Sequence, residues 1–184
     1  MRKLVSSFFI SLDGVVEAPH DWHFPYFDEE MGAVVGEAIA ASDTFLLGRR
    51  TYEEWAAFWP QQDPAENPMA AVMNGTPKVV ASTTLDSVDW ENATLAEGDL
   101  AEAVTGLKTQ PGKNIGMSGS ATLVRSLLGR GLVDELRLLV HPLVVGSGAK
   151  LFENGMASVP LELVASRTFA TGVLDLTYSP VAAA

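Results

Sequence analysis

Apolar and polar positions alternate in runs that change period along the chain, and each change marks an element boundary. Residues 2–10 are dense in apolar side chains and end in Ser11-Leu12-Asp13-Gly14, so the run predicts a buried first strand closed by a turn. Residues 15–27 form an aromatic-rich loop. Asp28 then stands as N-cap before a helical period over 29–41, with Glu29 and Glu30 in the acid-preferring first turn. The same reading places strands at 43–48, 78–82, 93–96 and 114–118. Helices are expected at 51–58, 66–73, 100–108 with Asp99 as cap, and 120–129 closed by Gly129 and Gly131.

The pattern shifts in the last third. Val133–Val145 is almost continuously apolar and predicts a strand buried on both faces. Two further strands, at 161–170 and 172–179, are joined through Thr171-Gly172, a hairpin signal. Strands alternating with helices and then an antiparallel ending predict one α/β domain over residues 1–184. Its expected form is a three-layer αβα fold with a mostly parallel central sheet and an antiparallel C-terminal edge.

Composition narrows the functional classes. The 184 residues carry 23 acids against 12 Lys and Arg, a net charge of −11, and the bases are scattered, which argues against nucleic acid. With no cysteine, disulfides, thiolate metal sites and cysteine nucleophiles are excluded. No apolar window reaches the roughly 18 residues of a membrane span. The N-terminal apolar run is broken by serines and has no small-x-small cleavage site, so the protein is expected in the cytoplasm.

Three small-residue turns follow apolar strands. In Gly48-Arg49-Arg50-Thr51 one glycine and two arginines open a helix, an arrangement suited to an anion: free amides at a helix start carry partial positive charge, and guanidinium groups pair with phosphate. In Gly116-Met117-Ser118-Gly119-Ser120-Ala121-Thr122 small residues permit close backbone approach before another helix. The third turn is Gly146-Ser147-Gly148-Ala149-Lys150. All three are expected at the carboxyl edge of the sheet, where open α/β sheets bind ligands.

Other chemistries are weaker. His20 and His23 have loosely metal-like spacing but no dependable third ligand, and His141 reads as a core histidine. A hydrolase using Ser118 or Ser120 is the third class of function considered, although neither serine lies in a nucleophile elbow. Asp13, Asp28 and Glu30 are the candidate acids, with an N-cap or turn role as the alternative for each.

Taken in order, Ser11-Leu12-Asp13-Gly14-Val15, Leu47 to Glu53, Gly116 to Ala121, Val133 to Leu136 and Gly146 to Phe152 resemble the dihydrofolate reductase-like family. The branch is that of the reductase domain of bacterial riboflavin biosynthesis, and the resemblance covers nearly the whole chain. It implies NADPH bound across the carboxyl edge and hydride transfer to a small pterin-, pyrimidine- or carbonyl-like substrate. A non-catalytic NADP(H)-binding protein of the same fold is the alternative.

Within the resemblance Gly48, Arg49 and Thr51 match the pyrophosphate turn, and Ser82 and Thr83 the segment flanking the 2′-phosphate. Gly116, Ser118, Gly119, Ser120, Ala121 and Thr122 match the turn under nicotinamide and pyrophosphate. Asp13, Gly14 and Val15 would cover the nicotinamide, and Gly146 of the third turn would also bind the cofactor. Thr83 stands where folate-type members carry arginine, leaving Arg50 to serve that phosphate. The absence of any Lys or Arg between Thr51 and Pro77 speaks against folate. The riboflavin branch also implies a homodimer.

Overall fold

The computed structural model describes residues 1–181. In chain order the elements are β1 (Leu4–Ser11), α1 (Glu29–Ala40), β2 (Ser42–Gly48), α2 (Arg49–Phe58), α3 (Pro68–Gly75), β3 (Lys78–Ala81) and β4 (Ala93–Leu95). They continue with α4 (Leu100–Thr109), β5 (Asn114–Met117), α5 (Ala121–Gly129), β6 (Glu135–His141), β7 (Leu161–Thr168) and β8 (Leu174–Pro180). The eight strands form one sheet in the order β4-β3-β2-β5-β1-β6-β8-β7. β4, β3, β2, β5, β1 and β6 run parallel, and the β7–β8 hairpin joins antiparallel beside β6, as the strand pattern predicted. Its turn closes where Gly172 takes φ +85°, a conformation open to glycine.

Helix ends follow their caps. Asp28 accepts from the Met31 amide at 2.9 Å, and Asp99 from Ala101 at 2.8 Å. The boundary that matters for the site differs: α2 begins at Arg49, two residues before the expected start, with Gly48 itself extended (φ −78°, ψ 160°) in the capping position. A glycine has no side chain to occupy the first amides, so Thr51 lies inside the first turn and that turn has no side-chain cap.

The sheet's two faces are packed differently. Leu4, Phe8 and Ile10 of β1, Ile115 and Met117 of β5, and Leu136 and Leu138 of β6 meet Val104 of α4 and the Leu123–Leu128 face of α5 in one continuous core. Each such side chain contributes about 1.5–3 kcal/mol by leaving water. On the opposite face α1 covers Leu139 and Phe9 together with the hairpin residues Phe169 and Val173. There α2 and α3 cover Phe45, Leu47 and Val80.

Lys78 fixes α3. Its side chain is 1% exposed, and Nζ donates to the carbonyls of Met73, Asn74 and Thr76 at 2.7–2.9 Å, closing the helix end. Burial pushes its pKa down to about 8.

The expected strand buried on both faces over 133–145 is shorter and two-sided. In β6 Leu136 and Leu138 enter the core, while Glu135, Arg137 and Leu139 face the α1 side. Leu139 and His141 are buried on that side as well, so the strand is covered on both faces at its carboxyl end and opens to the cleft at Glu135 and Arg137. No helix among the described residues is long and apolar enough to cross a membrane.

Candidate active-site cleft

Between α1 and α2, over β1 and β5, lies a cleft of about 660 Å³. One arm opens at the carboxyl edge of the sheet, as expected from the three turns. There the β2–α2 and β5–α5 turns are locked together: the Gly48 amide donates to the Gly119 carbonyl at 3.1 Å, beside a cis Gly119–Ser120 peptide. A Cβ at Gly48 would stand 2.8 Å from the Ser120 nitrogen, and one at Gly119 would collide with Thr51 Oγ1. Only glycines allow this approach. It brings the N-termini of α2 and α5, each with partial positive charge, to one place.

The cleft is lined there by Arg50, Thr51, Gly116, Ser118, Gly119, Ser120, Ala121 and Thr122. The two arginines of the first turn separate. Arg50 lines the cleft, whereas Arg49 pairs with Glu53 at 3.0 Å on the outer side of α2. Arg49 is expected at the pyrophosphate and Arg50 at the 2′-phosphate; of the two, the cleft takes Arg50, because successive helical positions lie about 100° apart. Ser82 Oγ accepts from Thr84 and Leu85 amides at 3.1 and 3.0 Å, so it shapes the turn after β3, and Thr83 is exposed; neither lines the cleft.

The third turn is not an open anion site. Asp13 Oδ1 and Oδ2 accept from the Val145 and Gly146 amides at 3.0 Å each, and Glu17 Oε2 from Ala149 at 2.8 Å. The chain's own carboxylates fill it. Val16 donates to the Ala149 carbonyl and Leu151 to that of Gly14, both at 2.9 Å, and Val15 is buried in the bridge to Lys150. The loops after β1 and β6 thus form one stapled wall of the cleft.

The candidate acids lie elsewhere. The Ser11 hydroxyl, then the Val145 amide and that of Gly146, hold the Asp13 carboxyl at about 2, which makes it a permanent acceptor at neutral pH rather than a proton donor. Asp28 caps α1, and Glu30 lies outside the cleft 3.5 Å from Arg167. The acids that do line the cleft are Glu17, Glu54, Glu135 and Glu153. Glu135 pairs with Lys3 at 2.6 Å, Glu153 with Arg125 at 2.9 Å, and Glu17 takes the Ala149 amide at 2.8 Å, so that among the described residues Glu54 has neither an ion pair nor a side-chain hydrogen bond.

The histidines take no part. His23 stacks on Phe9 with ring centroids 4.6 Å apart, and burial, with His141 and His20 nearby, pushes its pKa down to about 4. His141 is fully buried, its Nδ1 2.8 Å from the Leu139 carbonyl. None of the three lines the cleft, so Ser118 and Ser120 have no imidazole base there, and Ser120 Oγ is turned to the Leu123 amide at 3.4 Å. No group of three or more His, Asp or Glu among the described residues can hold a metal.

Residues that sequence reasoning missed include Trp55, Trp59, Arg125 and Arg137. Arg137 forms a bidentate pair with Asp175, Nε to Oδ1 at 2.7 Å and Nη2 to Oδ2 at 2.5 Å. The signal for it was a lone arginine in an apolar strand run.

The parallel sheet with an antiparallel edge hairpin, and the cleft at its carboxyl edge between two helix N-termini, are those of the dihydrofolate reductase-like fold. The chain belongs to the RibD C-terminal domain family, whose model matches residues 2–174. It is 32% identical over 182 residues to the uncharacterized protein YyaP of Bacillus subtilis strain 168, covering 96% of this chain and 94% of that one.

Among solved structures it is similar to one described as a riboflavin biosynthesis protein, from Shewanella sp. PV-4. The TM-score is 0.76 at 20% identity, over 97% of this chain and 99% of that one. It is also similar to dihydrofolate reductase from Enterococcus faecalis complexed with NADP(H), with TM-score 0.64 at 16% identity over 97% and 96% of the two chains.

Proposed function

We propose that the protein is an NADPH-dependent reductase that transfers hydride to a small pterin-, pyrimidine- or carbonyl-like substrate other than folate. The observation that carries this reading is the convergence of the α2 and α5 N-termini, tied by Gly48 and Gly119, beside the Arg50 guanidinium. Two helix starts and one cation with no ion pair among the described residues suit a pyrophosphate. Bound there, NADPH supplies the hydride. The chain's part would be to hold the phosphates with the first-turn amides of α2 and with Arg50, and to shield the carboxyl-edge side of the cleft from water with the stapled wall. We place this activity in the cytoplasm.

A second reading is a non-catalytic NADP(H)-binding protein. It is favoured by one fact: Asp13, Asp28 and Glu30 are all engaged outside proton delivery. We further propose a homodimer through the β7 edge, where Leu163 and Val164 are 51% and 59% exposed.

The test is thermal unfolding with NADPH and NADH separately. Ligand at about 100 times its dissociation constant adds roughly 2.7 kcal/mol of stability. No shift with either cofactor refutes both readings, and a shift without NADPH oxidation across a panel of carbonyl and heteroaromatic compounds selects the second. Sedimentation that shows a monomer at micromolar concentration refutes the dimer.

A further inference from the structure

The second arm of the cleft runs away from the phosphate cradle, between α1 on one side and α2 with α3 on the other. Its lining includes Val35, Ile39, Trp55, Trp59, Met69 and Met73. Trp55 is held edge-on to Phe45, ring centroids 6.1 Å apart, so its indole is set in place before any ligand arrives. Flat rings and polarizable thioethers suit a planar, apolar guest.

The charges tell the same story from the opposite side. Helix α1 contains no Lys or Arg, and none occurs between Thr51 and Pro77. The cation on the floor, Arg137, spends Nε and Nη2 on Asp175. That hydrogen-bonded pairing, with Glu37 and Glu135 adding negative charge nearby, holds the guanidinium firmly protonated and already compensated. Glu54 stands at the rim as a further carboxylate. An anionic group entering this arm would lose its water and find the nearby cations already engaged, Arg137 by Asp175 and Lys78 by the carbonyls of Met73, Asn74 and Thr76.

We propose that the second arm selects planar, uncharged ring compounds bearing neither phosphate nor carboxylate. For the reaction this rests on the reductase reading; for binding it stands alone. The substrate would then be a neutral heteroaromatic or ring carbonyl compound, in contrast to a phosphorylated or glutamate-tailed one.

Tryptophan fluorescence quenching of the full chain tests this with two matched pairs, riboflavin against FMN and 2-naphthol against 2-naphthoate, each titrated with and without NADP+. The neutral member of at least one pair should bind ten-fold or more tighter than its anion, with neither anion preferred. Trp59→Ala should weaken that neutral ligand by ten-fold or more and leave the NADPH thermal shift unchanged. Ile39→Lys, which puts a cation on α1, should narrow or invert the preference.

Anions bound as well as or better than their neutral partners, no binding by either neutral compound, or neutral binding indifferent to both Trp59→Ala and Trp55→Ala would overturn the proposal. The pair comparison needs no variant, so a poorly folding substitution does not decide it. A neutral ligand that binds while NADPH produces no shift would refute the reductase reading and leave this one standing.

Discussion

On one face of β1, Leu4, Phe8 and Ile10 are sealed under α4 and α5; on the other, Val5, Ser7 and Phe9 are the partly buried floor of the cleft. The same eight residues thus serve stability with one set of side chains and ligand access with the other, because strand side chains alternate with period 2. The covers differ as well. Two regular helices close the sealed face, whereas part of the open face is covered by the aromatic loop whose His23 stacks on Phe9. Substitutions on the sealed side should move stability alone, and those at the cradle should move binding alone.

The sharpest way to break that contrast is Leu136→Ala, a fully buried position on the sealed face. It should cost about 2–5 kcal/mol in denaturant unfolding, with NADPH affinity intact in whatever fraction stays folded. A loss of affinity without a loss of stability would erase the division between faces.

Acid should act on the open face first. His23 is lowered from 6.5 to about 4 on folding, so between those values the unfolded chain binds a proton that the folded chain excludes. The stability from neutral His23 is whole above pH 6.5 and drains as pH falls toward 4, by at most about 1.4 kcal/mol per pH unit. His23→Phe should reduce the slope in that window, with His141, also lowered by burial, supplying the remainder. Asp13 acts in a lower one: its contribution is full above 3.8 and is lost as pH falls through about 2.

Arg50→Ala should weaken NADPH by about 1–3 kcal/mol while unfolding stays within about 0.5 kcal/mol of the parent. The smallest effect is reserved for Arg49→Ala. As one half of an exposed i,i+4 pair it should change either quantity by about 0.5 kcal/mol or less. Equal losses from the two arginines would put both at the phosphate.

What could be read in the chain was what is local. β1, the Asp28 cap, the Asp99 cap and the Thr171-Gly172 hairpin rest on periodicity and on residues a few positions apart, and they fall where the pattern put them. The glycine turns were visible because small residues after an apolar run leave a local mark. Hidden were the pairings across distance. Asp13 meets Val145 and Gly146 from 132 and 133 residues away, and Arg137 meets Asp175 from 38. A carboxylate beside a turn glycine reads the same whether it awaits a substrate or an amide of its own chain. The choice between Arg49 and Arg50 depended on one residue of helical phase, set by where α2 starts.

The stapled wall also fixes when the cleft can exist. Its first half leaves the ribosome with residues 12–17, but the amides that hold it belong to residues 145, 146 and 149. The strands on either side of β1 are β5 and β6, likewise made late. A nascent chain can therefore present the Gly48 half of the phosphate cradle long before it has a pocket, and binding competence should arrive in one late step as β6 and its loop emerge. Ligand added during synthesis would then find nothing to hold until most of the chain has been made.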